Sequence, residues 1–462
     1  MSTTVENVWP VSRRVLGLGS LLAVAVGLVV SQGVMMLMLQ GVGTAGLGFL
    51  IPLSMAFILA LTYALSFSEL ALMIPRAGSL SSYTEVALGQ FPALLSVFSG
   101  YVTVAMFALS AELLLLDLII SEVYPGVFPS MSIAYGTLAL FTVLNLLGID
   151  VFARLQSALA LIMVIALLTL GLTAITGNGV QPPPSNLSLT AEWNPLGLGV
   201  LALAAMAIWG FVGAEFVCPL VEESRQPERT IPWSMILGIT VIFVTIALYS
   251  TGALRYVPRD ELSSNVLPHY LFATAVFGEN GKLLLIAAAV TATCSTLNSS
   301  LAAIPRMLHG MALRGQAFPI FKPLSRRYGE PWMAVLFVAG ITGAPILVMG
   351  HDPDSVSLLL LAAAIAWLLA YIICHLDVMV LRWRYPHMPR PFRSPLYPLP
   401  QIIGILGMGA AIYYVSPAEE LTLPIFLSAG VVLGLIAIAS IFWVKQVMRK
   451  PLFKPEPIES VL

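Results

Sequence analysis

Residues 208–215 read IWGFVGAE, and the fold turns on how they are read. They lie inside an apolar run over 196–221. A run of that kind meets the ~20 residues a helix needs to cross a bilayer. Gly210 and Gly213 flank Phe211 and Val212, and Glu215 follows in the same span. Glycine costs about 1 kcal/mol against alanine inside a helix. An ionisable residue within a span marks a functional site. The stretch is therefore expected to break its helix midway and free backbone N–H and C=O groups to hold a solute. The first apolar run, 16–39, carries a similar interruption at Ser31, Gln32 and Gly33. Close packing of glycine-rich helices is the alternative for either segment alone. Two interrupted spans in corresponding places of two halves point instead to a transporter's binding site.

Composition sets the class. Hydrophobic residues make up 58% of the chain, charged residues 10%, and the mean hydropathy is +0.93. A soluble domain carries about 25% charged residues, so the expected fold is an all-α polytopic membrane protein. Cys218, Cys294 and Cys374 all sit in apolar runs, and the histidines are scattered. Neither a disulfide framework nor a metal cluster is implied. No cofactor and no nucleic-acid partner are expected. The first apolar run is too long for a signal-peptide core and has no small-residue cleavage site closing it.

Apolar segments fall at 16–39, 46–73, 92–120, 131–149, 155–176, 196–221, 232–254, 282–304, 333–350, 355–381, 400–416 and 422–444. The fourth and eleventh are short. The connection 178–195 reads as an irregular outer loop, 258–280 as a short surface helix, and the proline-rich end from Pro451 as disordered. Of the 22 Lys and Arg residues, all but Arg255, Arg259 and Lys282 fall on the side of the amino terminus in this topology. The positive-inside rule then places both termini in the cytoplasm. That leaves tails over 1–14 and 445–462 and a cytoplasmic loop over 382–399. Glu69 lies in the inner third of the second helix, which Pro75 stops. Glu222, Glu223, Arg225, Glu228 and Arg229 are expected to form a cytoplasmic ion-pair cluster, with Ile231-Pro232 starting the next helix.

Four patches carry a family likeness: SEL…PRAGS…Y…E…G from Ser68, FVGAE…EESRQPERTIP from Phe211, LNSSLAAIPRM…RGQAFP from Leu297, and RPFRSPLYPLP from Arg390. In this order the chain resembles the amino acid–polyamine–organocation permeases, in their amino-acid permease branch. The resemblance implies a LeuT-type fold, in which helices 1–5 (15–177) and helices 6–10 (196–381) form inverted repeats. Helices 11 and 12 (400–444) are then peripheral. It implies a central site between broken helices 1 and 6, walled by helices 3, 8 and 10.

In that frame Ser31, Gln32 and Gly33 stand where backbone N–H groups receive a substrate carboxylate, and Val34 follows them. The positive end of the second half-helix suits an anion. Ile208, Trp209 and Gly210 end the first half of helix 6, whose carbonyls accept from an ammonium group, and the resemblance makes Trp209 an aromatic gate. Phe211 and Val212 are expected to line the side-chain pocket, with Tyr101, Ala105 and Met106 from helix 3 and Ser295 and Asn298 from helix 8. Glu215 matches a proton-sensing acid, the alternative being a carboxylate held by hydroxyls for structure alone. Some relatives replace a sodium ion with a helix-5 lysine, and Met163 stands at the aligned position. Cys294, Ser295 and Thr296 are weak sodium-site candidates. Glu112 and Asp117, counted from the inner end of helix 3, are expected near the outer surface, where they could attract a cationic solute.

The function expected from these features is secondary transport of an amino acid by alternating access, by proton coupling or exchange, in a cytoplasmic membrane, the bacterial inner membrane being the one expected. The apolar residues Val34, Met106, Phe211 and Val212 favour a neutral or hydrophobic substrate. A polyamine or organic-amine carrier of the same fold is the alternative. A channel or a non-transport membrane subunit is more distant, and an enzyme would need a catalytic cluster that the spans lack. The assembly is expected to be a monomer or homodimer.

Overall fold

The computed structural model describes residues 15–187, 189–193, 203–349, 353–416 and 419–461. The tail over 1–14 and the start of the sixth apolar segment lie outside these. Among the described residues, eight helices are long and apolar enough to cross a bilayer, a bent pair makes one further crossing, and three shorter apolar helices join them. Together they account for the apolar segments read from the sequence.

The first crossing is α1 (Leu18–Val29) and α2 (Gln32–Ala45), bent by 55° across Val30 and Ser31. Then come α3 (Leu50–Met73), a short α4 (Leu80–Ala87) and α5 (Gln90–Val123). A π-helical turn at Phe98–Thr103 interrupts α5. α6 (Ser132–Leu146) and α7 (Ile149–Thr176) complete the first half. The sixth crossing holds α8 (Ala204–Trp209), a turn through Gly210 and Gly213, and a 3-10 helix over Ala214–Glu223. Gly213 takes φ +111°, a conformation that L side chains rarely adopt, so the break expected here is built around that glycine.

α9 (Pro227–Ala253) begins with Pro227 at its first turn, five residues before the expected start at Pro232. The connection after α9 forms two short helices, α10 (Arg259–Ser264) and α11 (Pro268–Phe277), where one was expected. α12 (Glu279–Leu313) runs 35 residues, or ~52 Å at 1.5 Å per residue, and overshoots the bilayer. α13 (Trp332–Met349), α14 (Pro353–Arg384), α15 (Leu399–Tyr413) and α16 (Glu419–Phe442) follow.

The two interrupted crossings sit at the centre. α1 packs against α9, α7 and α12, while α2 packs against α8, α10, α11 and α5. α15 lies on α14 and α3. α16 is the least buried crossing, and Leu427, Leu435 and Ile438 face outward from it as a lipid-facing side chain does. Leu161, Ile165 and Leu172 do the same on α7.

Charge sits at helix ends in bonded clusters. Glu69 accepts from Arg382 Nε at 2.8 Å, Arg382 Nη2 at 2.6 Å and the Ser394 N–H at 2.8 Å, with Arg390 Nε at 3.2 Å. One buried carboxylate thus ties α3 to α14 and to the proline-rich loop after it. Glu223 pairs with Arg306 of α12 at 3.2 Å, and Arg306 also reaches Glu330 at 2.9 Å.

The carboxyl-terminal segment is ordered rather than disordered. Its backbone pairs with the α4–α5 turn through Phe91 N–H to Leu452 O and Glu456 N–H to Glu85 O. Arg314 donates to Ser460 O, and Arg76 Nε to Val461 O. Ile458 and Val461 are buried. Prolines keep such a strand extended at little entropic cost, and the apolar residues between them anchor it. Composition alone misses those anchors.

Candidate functional site

Leu28, Val29, Ser31, Val104, Ala105, Ala108, Leu109, Glu112, Trp209, Val212, Phe216, Thr296, Ser300, Ile304 and Trp367 line a central cavity between the two breaks. The free space is about 20 Å³, room for about one water molecule.

Each break has a local cause. Ser31 caps α2, its Oγ accepting from Val34 N–H at 3.3 Å. The next two N–H groups, from Gln32 and Gly33, donate at 2.8 Å to Glu112 Oε2 and Oε1. Ser31 N–H reaches Val29 O at 3.0 Å, and Met35 N–H to Ser31 O begins the helical ladder. All the donors of the first turn, which a helix leaves without internal partners, are thus taken by the protein itself. In helix 6, Gly210 N–H and Phe211 N–H return to Ala207 O and Ile208 O, closing the end of α8. Tyr63 O–H donates to Phe211 O at 2.5 Å.

Past this turn Glu215 is fully buried. It accepts from Trp367 Nε1 at 2.9 Å, Tyr371 O–H at 2.5 Å and Gly213 N–H at 3.2 Å. The Tyr371 hydroxyl also lies 2.9 Å from Gly213 N. Glu215 therefore joins the helix 6 break to α14 through hydrogen-bond donors. Trp367 packs edge-on against Trp209 and Phe216, each 5.9 Å between ring centres. Trp209 is buried against Trp367 and forms part of the cavity wall.

Ser31, Trp209, Val212, Ala105 and Thr296 face the cavity as lining residues; the other expected residues do not. Phe211 turns away into Phe57 and Phe243, with ring centres at 6.2 and 6.4 Å. Tyr101 packs on Phe216 at 5.2 Å. Val34, Met106, Ile208 and Gly210 are not among the cavity's lining residues. Ser295 and Asn298 belong to a polar cluster behind α1. There Gln156 Nε2 donates to Ser295 Oγ at 2.6 Å and to Ala23 O at 3.2 Å, and Asn298 Nδ2 donates to Gln156 Oε1 at 3.0 Å. Asn145 Nδ2 joins through Asn298 Oδ1 at 3.0 Å. The polar group that helix 5 offers α1 is this amide, two turns before the buried Met163. Thr296 Oγ1 donates to Gly27 O and Leu28 O at 3.3 Å, and Cys294 is a buried free thiol.

Gln32 points away from the cavity. Its side chain donates to Leu115 O at 3.1 Å and to His269 Nε2 of α11 at 3.3 Å, and accepts from Thr293 Oγ1 at 3.3 Å. It ties α2 to α5, α11 and α12. Just before α1, Leu16 N–H donates to Glu223 O, and Arg225 N–H to Leu16 O.

Glu112 and Asp117 are buried, contrary to their expected place near the surface. The reason is length. α5 spans 34 residues, ~51 Å, so counting from its start overshoots the height of Glu112. Asp117 caps α6 by accepting from Met131, Ile133 and Ala134 N–H at 3.2–3.3 Å. The carboxylate in an apolar helix was a legible signal for Glu112; Trp367, Phe216 and Ser300 carried none.

Interrupted crossings that meet at a central cavity are the arrangement a membrane transporter uses. The chain belongs to the amino acid permease family, whose model matches residues 16–444. It is 25% identical to the branched-chain amino acid permease BcaP of Bacillus subtilis, over 85% of this chain and 86% of that protein. It is 25% identical to the aromatic amino acid transport protein AroP of Escherichia coli K12, over 87% and 90%. With the gamma-aminobutyric acid permease of the same organism the identity is 26%, over 88% and 90%.

Proposed function

We propose that this amino acid permease moves a small solute with an amino group and an apolar body, by alternating access around the breaks in helices 1 and 6. One observation carries the reading: both interruptions open onto one cavity, whose wall is apolar and aromatic and holds one carboxylate. The relatives named for branched-chain and aromatic amino acids fit an apolar pocket. We assign the separate contacts at Gln32–His269 and Leu16–Glu223 as the two closures that alternating access requires.

Finer points belong to the same proposal. The two halves are inverted repeats. Both termini face the cytoplasm, on the charge asymmetry of the loops. Glu215 is the proton-coupling residue: protonation would remove an acceptor that Trp367, Tyr371 and Gly213 share, altering the cavity wall and the break together. Sodium is not required, because Gln156 and Thr296 already engage Ser295 and the α1 carbonyls.

Uptake of radiolabelled amino acids and amines into proteoliposomes tests the reading. Saturable flux that follows an imposed pH gradient, and loses that response in Glu215→Gln, supports it. Flux that neither saturates nor discriminates among solutes overturns it.

A further inference from the structure

The anion seat at the head of α2 is already filled. Glu112, from α5, places one carboxylate oxygen on each of the Gln32 and Gly33 N–H groups at 2.8 Å. Ser31 Oγ takes the Val34 N–H. The seat is built for this occupant: a Cβ on Gly33 would stand 2.7 Å from Glu112 Oε1 and 2.9 Å from Leu360 Cδ1. A solute carboxylate would find no free donor there and would meet a like charge. A solute ammonium meets the reverse. Among the described residues Glu112 is the one ionisable side chain lining the cavity, Ser31 also lines it, and Trp209, Phe216 and Trp367 supply aromatic wall. Aromatic faces also attract a cation.

We propose that Glu112 stands in for the carboxylate of an amino acid, so that this transporter selects primary amines with an apolar or aromatic body and no carboxylate. Glu112 is then the specificity-determining residue. The solutes that fit are the products of amino acid decarboxylation. The inference rests on the cavity being the transport site, as proposed above.

The test compares matched pairs on the purified full-length protein: phenethylamine with phenylalanine, and 3-methylbutylamine with leucine, with leucine methyl ester as a masked carboxylate. Binding is read from the shift in melting temperature and from competition for uptake in proteoliposomes. The amines and the ester are expected to bind ~10- to 100-fold more tightly than the parent acids, the worth of one charge-assisted hydrogen bond. Glu112→Ala frees both N–H groups and is expected to reverse the order. If that variant does not fold, the wild-type ranking decides alone. Parent amino acids binding wild type as well as the amines would overturn the proposal and leave the permease reading intact. If no amine, ester or amino acid binds wild type under any condition, the cavity is not a binding site and both readings fall.

Discussion

Replacing Gln156 with leucine tests the polar cluster that holds α1 against α7 and α12. Leucine nearly conserves volume and suits an apolar span. The change removes three interhelical hydrogen bonds, to Ala23 O, to Ser295 Oγ and from Asn298 Nδ2. Such bonds in membrane proteins average ~0.6 kcal/mol and reach ~1.7 kcal/mol. The expected loss is therefore ~2 kcal/mol, with a ceiling of ~5 kcal/mol, and the central value is roughly a 30-fold change in the folded-to-unfolded ratio. Gly27 supplies an internal control. A Cβ there would lie 2.1 Å from Ser295 Oγ and 2.2 Å from Gln156 Nε2, so Gly27→Ala disturbs the same bond from the other side. Unfolding in mixed micelles on Gly27→Ala, Gln156→Ala and the double variant forms a cycle. Neighbouring sites couple by more than ~0.5 kcal/mol, and the double variant is expected to lose less than the sum. A Gln156→Leu protein within ~0.5 kcal/mol of wild type, or an additive cycle, would refute the reasoning.

Glu69→Gln leaves Arg382 and Arg390 without their shared carboxylate; a loss of about 3–5 kcal/mol is expected, read by the same unfolding assay. Burial holds the His269 imidazole down at about 3, whereas the unfolded chain titrates near ~6.5. The unfolded state therefore binds more protons between those values, and stability is lost there as the pH is lowered, by up to ~1.4 kcal/mol per pH unit. Wild type should lose stability from pH 6.5 to 4.5 more steeply than His269→Asn; equal slopes would remove His269 as the cause. Truncation after Lys450 strips the buried Ile458 and Val461, each worth ~1.5–3 kcal/mol. A lower melting temperature and protease cleavage near Arg314 are expected, and an unchanged melting curve would show that the strand adds nothing. Sodium chloride in place of choline chloride is expected to leave uptake and melting temperature unchanged; a sodium-dependent rise in either would reopen the Ser295–Thr296 site.

The interruptions at Ser31 and at Gly210–Gly213 were legible because local chemistry makes them. A Ser cap, glycines and an acid within an apolar run are properties of short windows. The side of the helix that each neighbour presents was not. Phe211 and Trp209 are two residues apart, yet the first packs among Phe57 and Phe243 and the second lines the cavity. The turn between them has no helical period to extrapolate. Residues on helices 3 and 10 were harder still. The π-helical turn at Phe98–Thr103 shifts the facing of everything beyond it, and α5 is longer than the bilayer it crosses.

Composition and the run of apolar segments by themselves determined a polytopic helical protein with two broken crossings, because each crossing must satisfy its backbone within roughly 20 consecutive residues. Only the tertiary structure decided what meets the breaks. Glu112 reaches the head of α2 across 80 and 79 residues of chain, and Trp367 and Tyr371 reach Glu215 across 152 and 156. Pairings of that separation depend on how whole helices tilt and rotate against one another, which no local window of sequence encodes.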